Sequence, residues 1–84
     1  PLDSLIDRHT PPMLLLHAAD DRTASPTGSV EIFKALLGAG VKRSSLHIFP
    51  HGGHGIALRS QPGSTALWPQ IAEEWLRETG FAGK

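Results

Sequence analysis

Asp20 and Asp21 close one short apolar run, and His51 and His54 lie in the glycine-rich loop that closes a second. A carboxylate held beside an imidazole fixes the ring's tautomer and stabilises its protonated form. That is how a histidine is prepared to take a proton from a nucleophile. Gly52, Gly53 and Gly55 around His54 let the chain turn tightly and let another backbone approach. Taken singly, each residue has a plainer role. Aspartates after strands build turns, and a loop histidine is usually just solvated. What lifts the pair above that background is its placement at the ends of consecutive strands.

The elements that must position these residues are legible around them. Residues 1–12 are turn-rich and end in Pro11-Pro12, so they form a lead-in loop. Met13–Ala18 is apolar without alternation, as in a strand buried on both faces of a parallel sheet. Ser25-Pro26 supplies a cap and a first-turn proline. Val30, Phe33 and Leu37, widened by Ile32 and Leu36, then give an amphipathic helix that Gly38 and Gly40 stop. Ser45–Phe49 is a second strand, ended by Pro50, and the loop His51–Gly55 leads into a polar stretch reaching Gly63. A last helix is expected from Ala66 to Thr79, with Pro69 in its first turn. Its buried face is Trp68, Ile71, Trp75 and Leu76, and Gly80 caps it. Residues 80–84 form a tail.

Residues 13–79 therefore read as a βαβα unit of α/β class. Ligands of open parallel sheets gather at the carboxyl ends of the strands, and neighbouring strands bring the aspartate and histidine loops side by side there. Two parallel strands do not make a stable sheet in water. Further strands are expected from outside these residues.

Composition narrows the alternatives. With 84 residues the chain holds one small domain at most, and it has no Cys, so neither disulfides nor a thiolate zinc site is available. Eight basic and eight acidic residues give zero formal charge, with no electrostatic footprint for nucleic acid or an anionic membrane. No apolar run approaches membrane-spanning length. No leader is visible, so these residues assign no compartment. His47, His51 and His54 raise the possibility of a metal site, but strand and loop histidines point to different sides and zinc wants three or four convergent ligands. No metal and no cofactor is expected. Trp68 and Trp75 share one helical face, which suits core packing better than a sugar platform. Arg8-His9 and Lys42-Arg43 suit solvated surface, and Arg22, which follows the acid loop, suits a substrate contact or a salt bridge equally.

At this point the sequence resembles a family. Pro11–Asp21 is similar to the strand and acid loop of bacterial α/β-hydrolases of the acetyl-esterase, acetyl-xylan-esterase and prolyl-oligopeptidase type. Ser29–Leu36 with Gly38-Ala39-Gly40-Val41 resembles the family helix and its glycine-ended turn. Leu46–Gly55 resembles its last strand and histidine loop, and Trp68 with Trp75-Leu76 its closing helix. The resemblance runs from about Pro11 to Phe81, and the order acid then base matches the family's Ser…Asp…His order. It implies that His54 is the general base and Asp21 the acid that orients it, with Asp20 the alternative acid. The loop Arg22-Thr23-Ala24-Ser25-Pro26 departs from the family pattern of two β-branched residues and a proline after the acid.

One part of the machinery is absent. The family's nucleophile sits in a Gly-x-Ser-x-Gly elbow. None of Ser4, Ser25, Ser29, Ser44, Ser45, Ser60 and Ser64 has that frame, and no Cys can substitute. The resemblance thus implies the C-terminal part of a serine esterase. An N-terminal segment or companion chain would carry the serine and complete the sheet, and the substrate would be a small carboxylic ester, such as an acetylated sugar. Alone, the chain is expected to be inert. Three other readings stand beside it: a peptidase of prolyl-oligopeptidase type, a non-catalytic sheet-completing subunit, and a histidine-based metal module.

Overall fold

A computed structural model describes residues 5–81, so the first residues of the lead-in loop and the last of the tail lie outside the described residues. In the lead-in, Asp7 closes a turn: its Oδ1 accepts from the His9 N–H at 2.8 Å, and its carbonyl accepts from the Thr10 N–H at 3.0 Å.

Strand β1 is Leu14–Ala18 and strand β2 is Ser45–Phe49. They pair in parallel, with Leu14 opposite Ser45 and Ala18 opposite Phe49. The ladder is fastened at both ends. The Met13 N–H donates to Ser44 Oγ at 3.0 Å, and the Ala19 N–H donates to the Phe49 carbonyl at 2.7 Å. This register decides the function-bearing geometry, because both strands stop at the same level and release their loops side by side.

Helix α1, Pro26–Gly38, joins the strands. Ser25 caps it, accepting the Thr27 N–H on Oγ at 3.2 Å, a contact worth about 1 kcal/mol to the helix. Its C-terminus is a Schellman turn. The Val41 N–H reaches back to the Leu36 carbonyl at 3.0 Å and the Gly40 N–H to that of Leu37 at 3.1 Å, with Gly40 at φ 82°. Val41 and Leu36 are both buried there, which closes the turn over the helix end.

The buried face of α1 differs from the expected one. Leu36 is fully buried, whereas Leu37 is 61% exposed. The stripe that faces the sheet runs Ser29, Ile32, Phe33, Leu36, a regular helical spacing. Its first position is polar, so it does not show in a hydropathy pattern. The Ser29 hydroxyl instead bonds the His17 ring.

Helix α2 is Trp68–Thr79, preceded by a 3-10 turn over Gly63–Leu67, so the α-helix starts later than expected from the sequence. Its inner face carries Trp68, Ile71, Trp75 and Thr79. Leu76, expected on that face, is 37% exposed. Thr79 takes the inner position because its hydroxyl bonds the carbonyls of Trp75 and Leu76, at 2.9 and 3.2 Å, and so enters the interior without an unpaired polar group. Gly80, at φ 84°, ends the helix as expected.

Successive strand residues face opposite sides of a sheet. On β1, His17 meets Ser29 of α1, while Leu16 and Ala18 join Phe49, Ile56, Trp68 and Ile71. The two helices therefore cover opposite faces of the strand pair, the layering of an α/β domain. Burial is thinner than the sequence implies for β1. Leu14, Leu15 and Leu16 are only half-buried and Ala18 alone is fully covered, because the described residues place no third strand beside the pair.

Candidate active site

Asp21 sits in the loop leaving β1 and is 4% exposed through its side chain. Its two oxygens have separate tasks. Oδ1 accepts the backbone N–H groups of Thr23 and Ala24, each at 2.9 Å, which folds the loop into an aspartate-centred turn. Oδ2 lies 3.0 Å from His54 Nδ1. The turn-former and the acid are thus one residue, each role using a different oxygen.

These contacts hold the Asp21 carboxyl well below the usual carboxylate range. The Ala24 N–H is the largest cause, followed by the opposing effect of burial, then by the His54 bond and the Thr23 N–H. An ionised carboxylate makes His54 Nδ1 a donor, which leaves Nε2 as the free base. The His54 side chain is 57% exposed, and Nε2 has no hydrogen-bond partner among the described residues. The ring is therefore oriented at one nitrogen and open at the other. Beneath the two loops lies a cavity of about 150 Å³, bounded by Leu16, Asp21, His54 and Ile56.

Asp20, which spacing leaves as an alternative to Asp21, has a different position. It is exposed, and its Oδ1 accepts the Gly53 N–H at 2.8 Å, tying the aspartate loop to the histidine loop. The side chain that meets the imidazole is Asp21.

The histidine loop owes its shape to glycine and to side chains from the following stretch. Gly52 has φ 136°, and a Cβ there would lie 2.8 Å from Ile56 Cγ2. The Gly52 and His54 carbonyls accept from Arg59 Nη1 at 2.9 and 3.2 Å, and the Ile56 carbonyl accepts from Gln61 Nε2 at 3.1 Å. Fully buried Thr65 donates to the His51 carbonyl at 2.8 Å. None of Arg59, Gln61 and Thr65 stands out in the sequence, since each lies in a polar stretch without periodicity. His17 does carry a signal, as an imidazole inside an apolar strand. Buried polar groups require partners, and His17 finds them in Ser29 Oγ at 2.7 Å and the Ala24 carbonyl at 2.8 Å, with its Nε2 also 3.0 Å from Asp21 Oδ2.

The three histidines considered as metal ligands face different partners. His47 Nε2 meets Ser45 Oγ at 2.8 Å, His51 Nδ1 meets Thr65 Oγ1 at 3.2 Å, and His54 meets Asp21. The described residues contain no group of three convergent ligand side chains. Of the tryptophans, Trp68 packs on the core. Trp75 donates from Nε1 to the Arg43 carbonyl at 2.8 Å and meets the Phe81 ring edge-on at 5.6 Å.

Two solved structures share this arrangement of elements. The acetyl ester-xyloside bifunctional hydrolase from Caldicellulosiruptor lactoaceticus superposes with a TM-score of 0.84 at 35% identity, over 94% of this chain and 29% of its own. The carboxylesterase Cest-2923 from Lactobacillus plantarum WCFS1 gives 0.77 at 28% identity, over 93% of this chain and 32% of its own. The chain thus spans less than a third of either hydrolase. No curated protein gives a significant match. The model of the prolyl oligopeptidase family, Peptidase_S9, matches residues 1–79. With a match along almost its whole length and the α/β architecture of esterases, the chain belongs to the prolyl oligopeptidase family.

Proposed function

We propose that this chain supplies the acid and the base of a serine carboxylesterase. The observation that carries the reading is the 3.0 Å contact between His54 Nδ1 and the ionised, nearly buried Asp21, with Nε2 left open to solvent. A serine from a segment outside these residues would attack the ester carbonyl while His54 Nε2 takes its proton. His54 would then protonate the departing alkoxide, leaving an acyl-enzyme, and activate the water that hydrolyses it. Asp21 stays ionised throughout and stabilises the imidazolium that forms in each half-reaction.

The segment that brings the serine would also bring strands. The half-buried Leu14–Leu16 and the open side of β1 fit such a neighbour, as does the chain's short share of the two hydrolases it resembles. An acetylated sugar or another short-chain acyl ester is the proposed substrate, in line with an acetyl ester-xyloside hydrolase and a carboxylesterase as structural relatives. The family match favours one second reading, a serine peptidase using the same acid and base.

The test uses the full-length protein that contains these residues, with p-nitrophenyl acetate and a chromogenic prolyl peptide as substrates. Ester turnover that His54→Ala reduces by about 10³-fold or more is expected. Peptide turnover alone would select the peptidase. Turnover of neither, with no Gly-x-Ser-x-Gly upstream, would leave a sheet-completing binding role.

A further inference from the structure

Two imidazole nitrogens lie 3.0 Å from Asp21 Oδ2, and only His54 has a place in the proposed chemistry. His17 Nε2 lies 3.0 Å from that oxygen and 2.8 Å from the Ala24 carbonyl. Both neighbours are acceptors without a proton of their own, so Nε2 must carry one and donate. The other ring nitrogen, Nδ1, lies 2.7 Å from Ser29 Oγ, whose hydroxyl can donate to it. The ring is 15% exposed and touches three elements: its own strand, the aspartate loop and helix α1.

From this geometry we infer that His17 is a positioning residue for the Asp21–His54 pair: as the neutral Nε2–H tautomer fixed by Ser29, it orients the carboxylate that His54 uses. Its catalytic consequence rests on the esterase reading above. A carboxylate bonded only through Oδ1 retains freedom to rotate about its Cβ–Cγ bond, which carries Oδ2 off the His54 axis. Here both oxygens are held. Thr23 and Ala24 fix Oδ1 through their N–H groups, and His17, with its Nε2–H bonded to the Ala24 carbonyl, stands 3.0 Å from Oδ2 on one side while His54 Nδ1–H approaches from the other. Ala24 closes the arrangement, giving its N–H to Asp21 and its carbonyl to His17.

A histidine that merely fills space beside the loop has neither a required tautomer nor an effect on His54. The first measurement is therefore a long-range proton–nitrogen correlation spectrum of the full-length protein labelled with ¹⁵N-histidine. His17 is expected as the Nε2–H tautomer with a slowly exchanging Nε2 proton. An Nδ1–H tautomer overturns the inference.

The second measurement compares His17→Phe, which keeps a ring and loses the donor, with His17→Gln, whose amide nitrogen restores one. His17→Phe should lower kcat per titratable serine by about 10- to 100-fold with KM unchanged, and hasten exchange of the His54 Nδ1 proton. His17→Gln should recover most of the loss. Activity that falls only in proportion to folded protein, equally in both variants, overturns the positioning role. Should His17→Phe not fold, the tautomer and the His17→Gln kinetics decide it. A wild-type protein with no ester turnover and no covalent labelling by an organophosphonate sinks the esterase reading instead. The nitrogen spectra still report whether His17 carries its proton on Nε2, beside Asp21.

Discussion

The Gly53 N–H donates to Asp20 Oδ1 at 2.8 Å, bridging the loop after β1 to the loop after β2. Adjacent aspartates therefore do different work. Asp20 holds the two loops at a fixed separation, and Asp21, one residue on, meets the imidazole.

Substitution should separate those roles. On the proposed esterase reading, Asp21→Asn in the full-length protein is expected to cut ester kcat by about 10³- to 10⁴-fold, because an amide cannot hold the donor tautomer of His54 or stabilise its cation. Asp20→Ala loses one exposed hydrogen bond and should cost roughly three- to tenfold, about 1 kcal/mol. Steady-state kinetics on p-nitrophenyl acetate check this. A larger loss for Asp20→Ala would reverse the assignment of the acid.

Acid stability offers an independent reading of Asp21. Its carboxyl titrates lower in the folded protein than in the unfolded chain, where it returns to its ordinary value of 3.8. The stabilisation it gives is complete above that value and is lost as pH falls toward the folded one. Urea midpoints of the full-length protein should owe no pH dependence to this group between about pH 5 and 7, and should fall below about pH 4. Asp21→Asn, which does not titrate, should fall less steeply below pH 4. Parallel slopes for the two proteins would contradict the depressed titration.

Two glycines should respond to alanine with opposite signs. At Gly52 the backbone is at φ 136° and a Cβ would stand 2.8 Å from Ile56 Cγ2, so Gly52→Ala should destabilise by about 1–3 kcal/mol. Gly28 lies inside α1 with nothing within 4 Å of a Cβ. Gly28→Ala should stabilise by about 0.4–1 kcal/mol, since alanine restricts the unfolded chain and suits a helix. Urea unfolding of both variants measures the difference.

Apolar pattern and turn chemistry revealed β1, β2 and the two α-helices, and with them the meeting of the aspartate and histidine loops. The limits of that reading follow from polar residues that sit inside. Ser29 occupies the sheet-facing stripe of α1 and Thr79 that of α2, each through a hydrogen bond that hydropathy does not register, and so Leu37 and Leu76, which the apolar pattern points inward, face outward. The two 3-10 turns after β2 have no hydrophobic period and read as polar loop, although they deliver Ile56 and Thr65 to the interior. Spacing alone could not divide Asp20 from Asp21. The division depends on where each backbone N–H points once the turn has formed.

The strand pair has a practical consequence for handling these residues by themselves. Each strand of a two-stranded sheet has one side whose amide and carbonyl groups meet no other strand, and on β1 that side runs past the half-buried Leu14, Leu15 and Leu16. Such an edge is a template for another extended chain, whether or not it is the native one. Produced in isolation, the chain should tend to self-associate through β1, and a lysine at Leu15 would act as a gatekeeper against it. The same lysine would obstruct the sheet completion proposed above. On the proposed reading, solubility of these residues alone and completion of the sheet make opposite demands on one short strand.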